Sequence, residues 1–256
     1  MIECHIENKI ATITLNRPEK RNALDHHMAQ AIHQALIQLK DDENCKVLII
    51  KANGEAFCAG ADLSYLKTLQ SNSYEQNLQD STSLMEMFKA LDAFPKITIA
   101  QVEGAAFAGG CGLVSLCDFS YATPESSFAY TEVKIGFIPA IVSVFLSAKI
   151  GENRAKKMLL TGDIFSAKQA LDMQLISDIT DKETISTVVN DLASKLAKTV
   201  SADSIQMTKQ LLSDIKGKTL NEQLNMAAVA NAKARSTEDC KKGINAFLNK
   251  EKLSWN

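Results

Sequence analysis

Residues 2–7 and 10–15 alternate apolar and polar, with Ile13 and Leu15 set against Thr12 and Thr14, and both runs are rich in β-branched residues. With Asn8-Lys9 between them they predict a β-hairpin. Asn16 to Asn22 is a polar turn. From Asp25 to Lys40 the apolar positions Met28, Ile32, Ala35, Leu36 and Leu39 recur every three or four residues, which predicts a helix with one buried face. Lys46–Ile50 reads as a short buried strand closed by the turn Ala52-Asn53-Gly54. Leu63 to Phe94 is helical in pattern, interrupted at Ser71-Asn72-Ser73 and stopped by Pro95. Ile97–Val102 predicts a second apolar strand, followed by the small-residue turn Gly104–Gly112 and a helix through Leu113–Cys117. Phe119–Ala122 and Phe128–Tyr130 predict further strands. From Gly151 onward the pattern is helical, with Ser166, Ser201 and Ser236 as N-caps. The fold class expected is α/β: a β/α first two-thirds and a helical final third.

Composition narrows the function classes. The 256 residues carry 28 Lys+Arg against 30 Asp+Glu, a formal charge of −2, and 46% are hydrophobic. That balance excludes a disordered chain and disfavours a dedicated nucleic-acid binder. The uncharged stretches Gly104–Cys117 and Ile135–Ala148 fall short of the ~20 apolar residues of a spanning helix, so both read as buried core and no membrane partner is expected. The six cysteines are scattered without a C-x-x-C pair, and no metal site is expected. Scattered cysteines and an N-terminus without a continuous apolar run lead to the expectation of a reducing, cytoplasmic setting.

Two loops carry the candidate chemistry. Phe57 to Leu63 and Ala106 to Leu113 each place small residues between a strand and a helix start. Small residues admit close backbone approach, and a helix start leaves N–H groups without partners. Two such groups converging on one oxygen make an oxyanion hole. Each loop alone reads more readily as an ordinary strand–helix turn with no ligand. Gly109-Gly110-Cys111-Gly112 is not a dinucleotide fingerprint, because its glycine spacing is wrong.

Taken together, the motifs resemble the enoyl-CoA hydratase/isomerase (crotonase) superfamily. They are Asn16-Arg17-Pro18 with Asn22-Ala23-Leu24, Ala56 through Leu63, Gly104 through Leu113, Cys117-Asp118, and Glu132 followed by Gly136 and Pro139. The match continues into Ser236 to Asp239 and Gly243 to Leu248. The resemblance implies a crotonase-like spiral of β-β-α turns over residues 1–195. It also implies a C-terminal helical region, 196–256, that assembles a homo-trimer or a dimer of trimers. The implied ligand is an acyl-CoA thioester, with CoA part of the substrate and no separate cofactor.

By the same resemblance, Ala61 and Gly109 supply the oxyanion N–H groups and Glu132 is the catalytic carboxylate. Ala59, Gly60, Asp62, Leu63, Gly110, Gly112 and Tyr130 surround the substrate. Lys20 and Arg21 are candidates to meet the CoA phosphates, and Phe247 and Lys250 match a Phe and a Lys of the family's terminal helix that reach the nucleotide of a neighbouring subunit. The family's first glutamate falls on Gly112, which has no side chain. That departure, with Thr131 to Gly136 and Ile138 to Ser143, likens the chain to branched-chain hydratases of the methylglutaconyl-CoA type. The activity implied is reversible hydration of an enoyl-CoA, in branched-chain amino acid or fatty acid breakdown. Two other readings stay open: a double-bond isomerase with Glu132 as its single base, and a catalytically idle CoA-binding paralogue.

Overall fold

The computed structural model describes residues 1–255, with Leu63 described in its main chain alone. The hairpin forms as the alternation predicts: β1 (Ile2–Glu7) pairs antiparallel with β2 (Ile10–Leu15). Helix α1 (His26–Asp41) buries Met28, Ile32, Leu36 and Leu39 against them, and Asp25 caps its N-terminus by accepting from Met28 N at 2.8 Å. Each such buried side chain contributes about 1.5–3 kcal/mol.

Three β-β-α turns follow. In each, the first strand joins one sheet and the second strand crosses to another. The first-strand series is β3 (Val47–Ala52), β5 (Ile97–Val102) and β7 (Phe119–Ala122). The second-strand series is β4 (Ala56–Cys58), β6 (Ala105–Phe107) and β8 (Ser127–Ala129). The helices of the turns are α2 (Leu63–Leu69) with α3 (Tyr74–Asp92), then α4 (Gly109–Leu116), then α5 (Ala140–Ile150). Helix α6 (Glu152–Thr161) leads to β9 (Phe165–Ser166), and α7 (Ala167–Asp172) to β10 (Asp178–Ile179). The larger sheet runs β1-β2-β3-β5-β7-β10 and the smaller β4-β6-β8-β9. Neighbours from β2 to β10 in the larger sheet and from β4 to β8 in the smaller are parallel.

Parallel strands covered on both faces should be apolar throughout, and every residue of β5 is buried. One core fills the space between the sheets and α1, α3, α4 and α5. A second lies behind β3 and β5, where Ile185, Val189, Ala193 and Ala197 of α8 (Ile185–Thr199) cover Val47, Ile49, Ile97 and Ile99. Residue 195, expected to end the spiral, therefore falls inside a helix anchored on the larger sheet. Helices α9 (Ala202–Asp214), α10 (Leu220–Ser236) and α11 (Glu238–Leu248) follow.

Several local expectations need correction. Helix α4 begins at Gly109, four residues before Leu113, because two glycines allow it to start against β4. Tyr130 lies just beyond β8. Ser166 and Ser201 cap α7 and α9, but Ser236 ends α10, and Thr237 caps α11 through Cys240 N. The stretch Ile135–Ala148 is only half core. Ile135 and Ile138 are 70% and 66% exposed, while Val142 and Leu146 are buried. Its lack of charge comes from an apolar outer face as well as an inner one.

Candidate active site

The three candidate groups follow three adjacent strands. In the smaller sheet β6 lies between β4 and β8, all parallel, so their C-terminal ends lie side by side, about 4.8 Å from strand to strand. Ala61 comes just after β4, Gly109 just after β6 and Glu132 just after β8. Loops at the carboxyl ends of parallel strands carry the ligand sites of many open sheets.

Leu24 joins the first two loops. Its backbone forms a parallel bridge with Ala61, donating to Gly60 O at 2.7 Å and accepting from Asp62 N at 2.9 Å. Its side chain covers Gly109, where an added Cβ would lie 2.7 Å from Leu24 Cδ1. Gly60, at φ +96°, rests against Ala108, and a Cβ there would be 3.1 Å from that residue's own Cβ. The bridge uses Gly60 O and Asp62 N, and the N–H of Ala61, an exposed residue, has no acceptor among the described residues.

Asp62 caps α2. Its Oδ1 accepts from Ser64 N at 2.8 Å, Tyr65 N at 3.3 Å and the Ser64 hydroxyl. Its Oδ2 lies 2.9 Å from Arg17 Nη2, and Arg17 Nη1 lies 2.7 Å from Oδ2 of Asp25, the α1 cap. The Ser64 hydroxyl and amide, backed by Arg17 and Lys20, hold the Asp62 carboxyl below its ordinary range against the opposing effect of burial. Asn22, fully buried at φ +53°, ties the preceding turn together. Its amide donates to Asn53 O and Ala56 O, each at 2.8 Å, and its oxygen accepts from Arg17 N at 2.8 Å.

The second loop is strained at Ala108, whose φ of +49° and ψ of −119° are rarely adopted by a residue with a side chain. Ala108 N–H donates to Ala129 O at 2.8 Å, which ties this loop to the end of β8. The strained residue turns the chain directly into α4, whose leading amides have no helical acceptor until Gly112 N reaches Ala108 O at 2.9 Å. Gly110 permits this start: a Cβ there would fall 2.6 Å from both Cys58 Cβ and Cys58 O. At Gly112 the room for a side chain is already taken, with Val142 Cγ1 at 2.6 Å and Phe88 Cε1 at 3.0 Å from an ideal Cβ.

Glu132 opens the 3-10 turn Glu132–Ile135. Its Oε2 is buried without a hydrogen-bond partner among the described residues, and that burial raises its carboxyl above the usual range. Lys134 Nζ lies 4.0 Å from Asp163 Oδ1. The Glu132 charge reaches back to Cys111 in the first turn of α4, whose thiol is pushed up to about 12, chiefly by burial. A thiol so held is packing, not a nucleophile. Tyr130 is wholly enclosed. Its hydroxyl lies against Cys111 and Ser115 with no partner in hydrogen-bond geometry among the described residues.

Lys20 and Arg21 are exposed beside the first loop, where Ala59 N donates to Arg21 O at 3.0 Å. Within one chain, Phe247 and Lys250 sit apart from these loops, and the expectation for them concerns a neighbouring subunit. Helix α11 packs on α9 and α10, Phe247 is 83% exposed, and no described hydrogen bond or ion pair joins either residue to the three loops. The side chain of Leu63 lies outside the described residues. Sequence reasoning passed over Arg17, Leu24 and Ala108. Arg17 and Leu24 stood inside a quoted motif without a role, and nothing in the residue types marks the backbone strain of Ala108.

The geometry agrees with independent comparisons. A family model described as enoyl-CoA hydratase/isomerase matches residues 5–256. A Thermus thermophilus protein provisionally named enoyl-CoA hydratase is 40% identical over 241 residues, covering 94% of this chain and 95% of its own. The mitochondrial enoyl-CoA hydratase of Pongo abelii is 32% identical, covering 97% and 84%. Among solved structures, an enoyl-CoA hydratase from Shewanella pealeana superposes with a TM-score of 0.93 at 34% identity, covering 99% and 95%. The order of motifs, the spiral of β-β-α turns and these likenesses agree: the chain belongs to the enoyl-CoA hydratase/isomerase family.

Proposed function

We propose that the protein hydrates the α,β double bond of an enoyl-CoA thioester. The observation that carries this reading is that the loops at the ends of the neighbouring strands β4, β6 and β8 hold two amides without an acceptor among the described residues and a carboxylate with one buried oxygen. The thioester oxygen sits between Ala61 N–H and Gly109 N–H. Glu132 takes a proton from water as the water oxygen bonds to the β-carbon. The double-bond electrons move onto the thioester oxygen, giving an enolate held by the two amides and the positive end of α4. Protonated Glu132 then returns the proton to the α-carbon, and the thioester carbonyl re-forms. One carboxylate thus serves as base and acid in turn. Lys20 and Arg21, both exposed beside the first loop, meet the CoA phosphates in this reading.

The filled space at Gly112 favours a second reading. With no second carboxylate, Glu132 alone can move a proton between carbons, which is double-bond isomerisation. One experiment separates the two: purified protein is offered straight, branched and carboxylated enoyl-CoAs. A hydroxyacyl product with water incorporated supports hydration. A shifted double bond without water supports isomerisation, and no turnover of any member rejects both.

The assembly reading rests on α9 and α10, which bury no residue of their own, and on Leu220, Leu224 and Val229 of α10, which are left exposed. A copy of the same chain in a closed trimer or a dimer of trimers covers that face. A stable monomer in sedimentation at micromolar concentration would contradict it.

A further inference from the structure

The pairing of Arg17 with two helix caps has a consequence for the chemistry beside it. Arg17 follows β2, far in sequence from the Ala61 loop, yet its guanidinium reaches Asp62 at 2.9 Å and Asp25 at 2.7 Å. Its Nη1 also lies 3.4 Å from Ala23 O. The segment Ala23-Leu24 is thus gripped on one side by Arg17 and paired on the other with Gly60–Asp62. The Arg17 and Asp62 side chains are only 17% and 4% exposed, so water screens them little. Asp62 Oδ1 is taken up by the α2 amides and the Ser64 hydroxyl, while Oδ2 has Arg17 as its charge partner.

A carboxylate one residue from an oxyanion donor is an electrostatic liability. Negative charge building on the thioester oxygen would be opposed by Asp62 if that carboxylate stood alone. We propose that Arg17 is a positioning residue for the reaction: it neutralises Asp62 and holds the Ala61 amide in line, so that the oxyanion site meets developing charge without a buried anion behind it. This rests on the enoyl-CoA reading, and it goes beyond that reading in assigning the oxyanion site a charge-compensating residue.

The arrangement makes a prediction that a simple brace does not. Arg17→Gln leaves Asp62 uncompensated, and kcat on the best enoyl-CoA falls roughly 10- to 100-fold, less than the loss of a donor outright, with KM little changed. Adding Asp62→Asn removes the stranded charge while its amide oxygen still caps α2, so the double variant regains most of the lost kcat. Arg17→Lys, which keeps the charge but not the fork, falls between, and it carries the comparison if Arg17→Gln does not fold.

A second readout needs no turnover: the infrared carbonyl stretch of a saturated acyl-CoA labelled with 13C at the thioester carbon. Binding to the parent protein lowers its frequency, Arg17→Gln lessens that shift, and the double variant restores it. An Arg17→Gln protein with full kcat and an unchanged carbonyl shift overturns the proposal. So does a double variant no better than the single, which would make Arg17 a brace alone. A parent protein that hydrates enoyl-CoA in either of these cases leaves the functional reading standing. A parent that neither hydrates nor shifts the carbonyl removes that reading and the role of Arg17 together.

Discussion

Val142 occupies the space that a side chain at position 112 would need, with its Cγ1 2.6 Å from the ideal Cβ of Gly112. Val142 is β-branched and stiff at χ1, and Phe88 closes the other side, so neither yields cheaply. In Gly112→Ala the helix gains about 1 kcal/mol in propensity, but overpacking costs about 1–3 kcal/mol and outweighs it. We expect a net loss of stability in urea unfolding. Val142→Ala in the same chain should recover part of that loss, so the two changes will not add. Gly112→Glu should be worse still, and it should not install a working second carboxylate while Val142 remains.

Ala61→Pro isolates the backbone donor. The pairing with Leu24 runs through Gly60 O and Asp62 N and does not use the Ala61 N–H. Proline therefore removes the proposed donor while sparing those two bonds. Turnover should fall about 10²–10³-fold, the usual effect of losing one oxyanion donor. Circular dichroism and thermal unfolding alongside the assay separate this from misfolding.

Glu132→Gln should lower kcat by about 10²–10⁴-fold and leave acyl-CoA binding nearly intact, since the amide keeps the shape. On the proposed reading, the parent protein should lose kcat/KM in acid with an apparent pKa above the ordinary glutamate value of 4.5, because burial raises this carboxyl. The variant should lack that limb. Stability runs the opposite way with pH. The folded chain holds the Glu132 proton more tightly than the unfolded chain, so the contribution is full below 4.5 and is lost as pH rises through the raised native value. Glu132→Gln should thus become more stable relative to the parent across that window. An unchanged difference in unfolding midpoint between acid and neutral pH would count against it.

Asn22→Ala removes a buried side chain that serves Asn53 O, Ala56 O and Arg17 N. Its left-handed backbone also suits asparagine better than alanine. A cost of about 2–4 kcal/mol is expected in chemical denaturation, with activity lost in parallel because the turn carrying Arg17 loosens. A loss under 1 kcal/mol would show that these bonds exchange freely with water.

Much of the fold was legible because its signals are local. The hairpin at Asn8-Lys9, the face of α1 and the caps at Ser166 and Ser201 each depend on residues a few positions apart. The order of the site loops was legible through the family resemblance. Relations across turns of the spiral were not. No spacing rule joins Arg17 to Asp62 or places Val142 over Gly112, since each pair meets only when separate turns stack. The exposed Ile135 and Ile138 were misread as core because an apolar run looks alike whether it faces the interior or an outer surface.

The side-by-side strands β4, β6 and β8 also set an order of events during synthesis. Each parallel neighbour is a whole turn of the spiral away, so its contacts close long loops, and the entropy of that closure must be met before the pairing stabilises anything. A nascent chain that has emerged as far as α3 carries Ala61 but has nothing to set beside it. Gly109 arrives a turn later, and Glu132 only when β8 docks on the far side of β6. The protein can therefore have its hairpin, first helix and several strands in place and still lack the three candidate groups side by side, which ties completion of the candidate site to the pairing of β8 with β6.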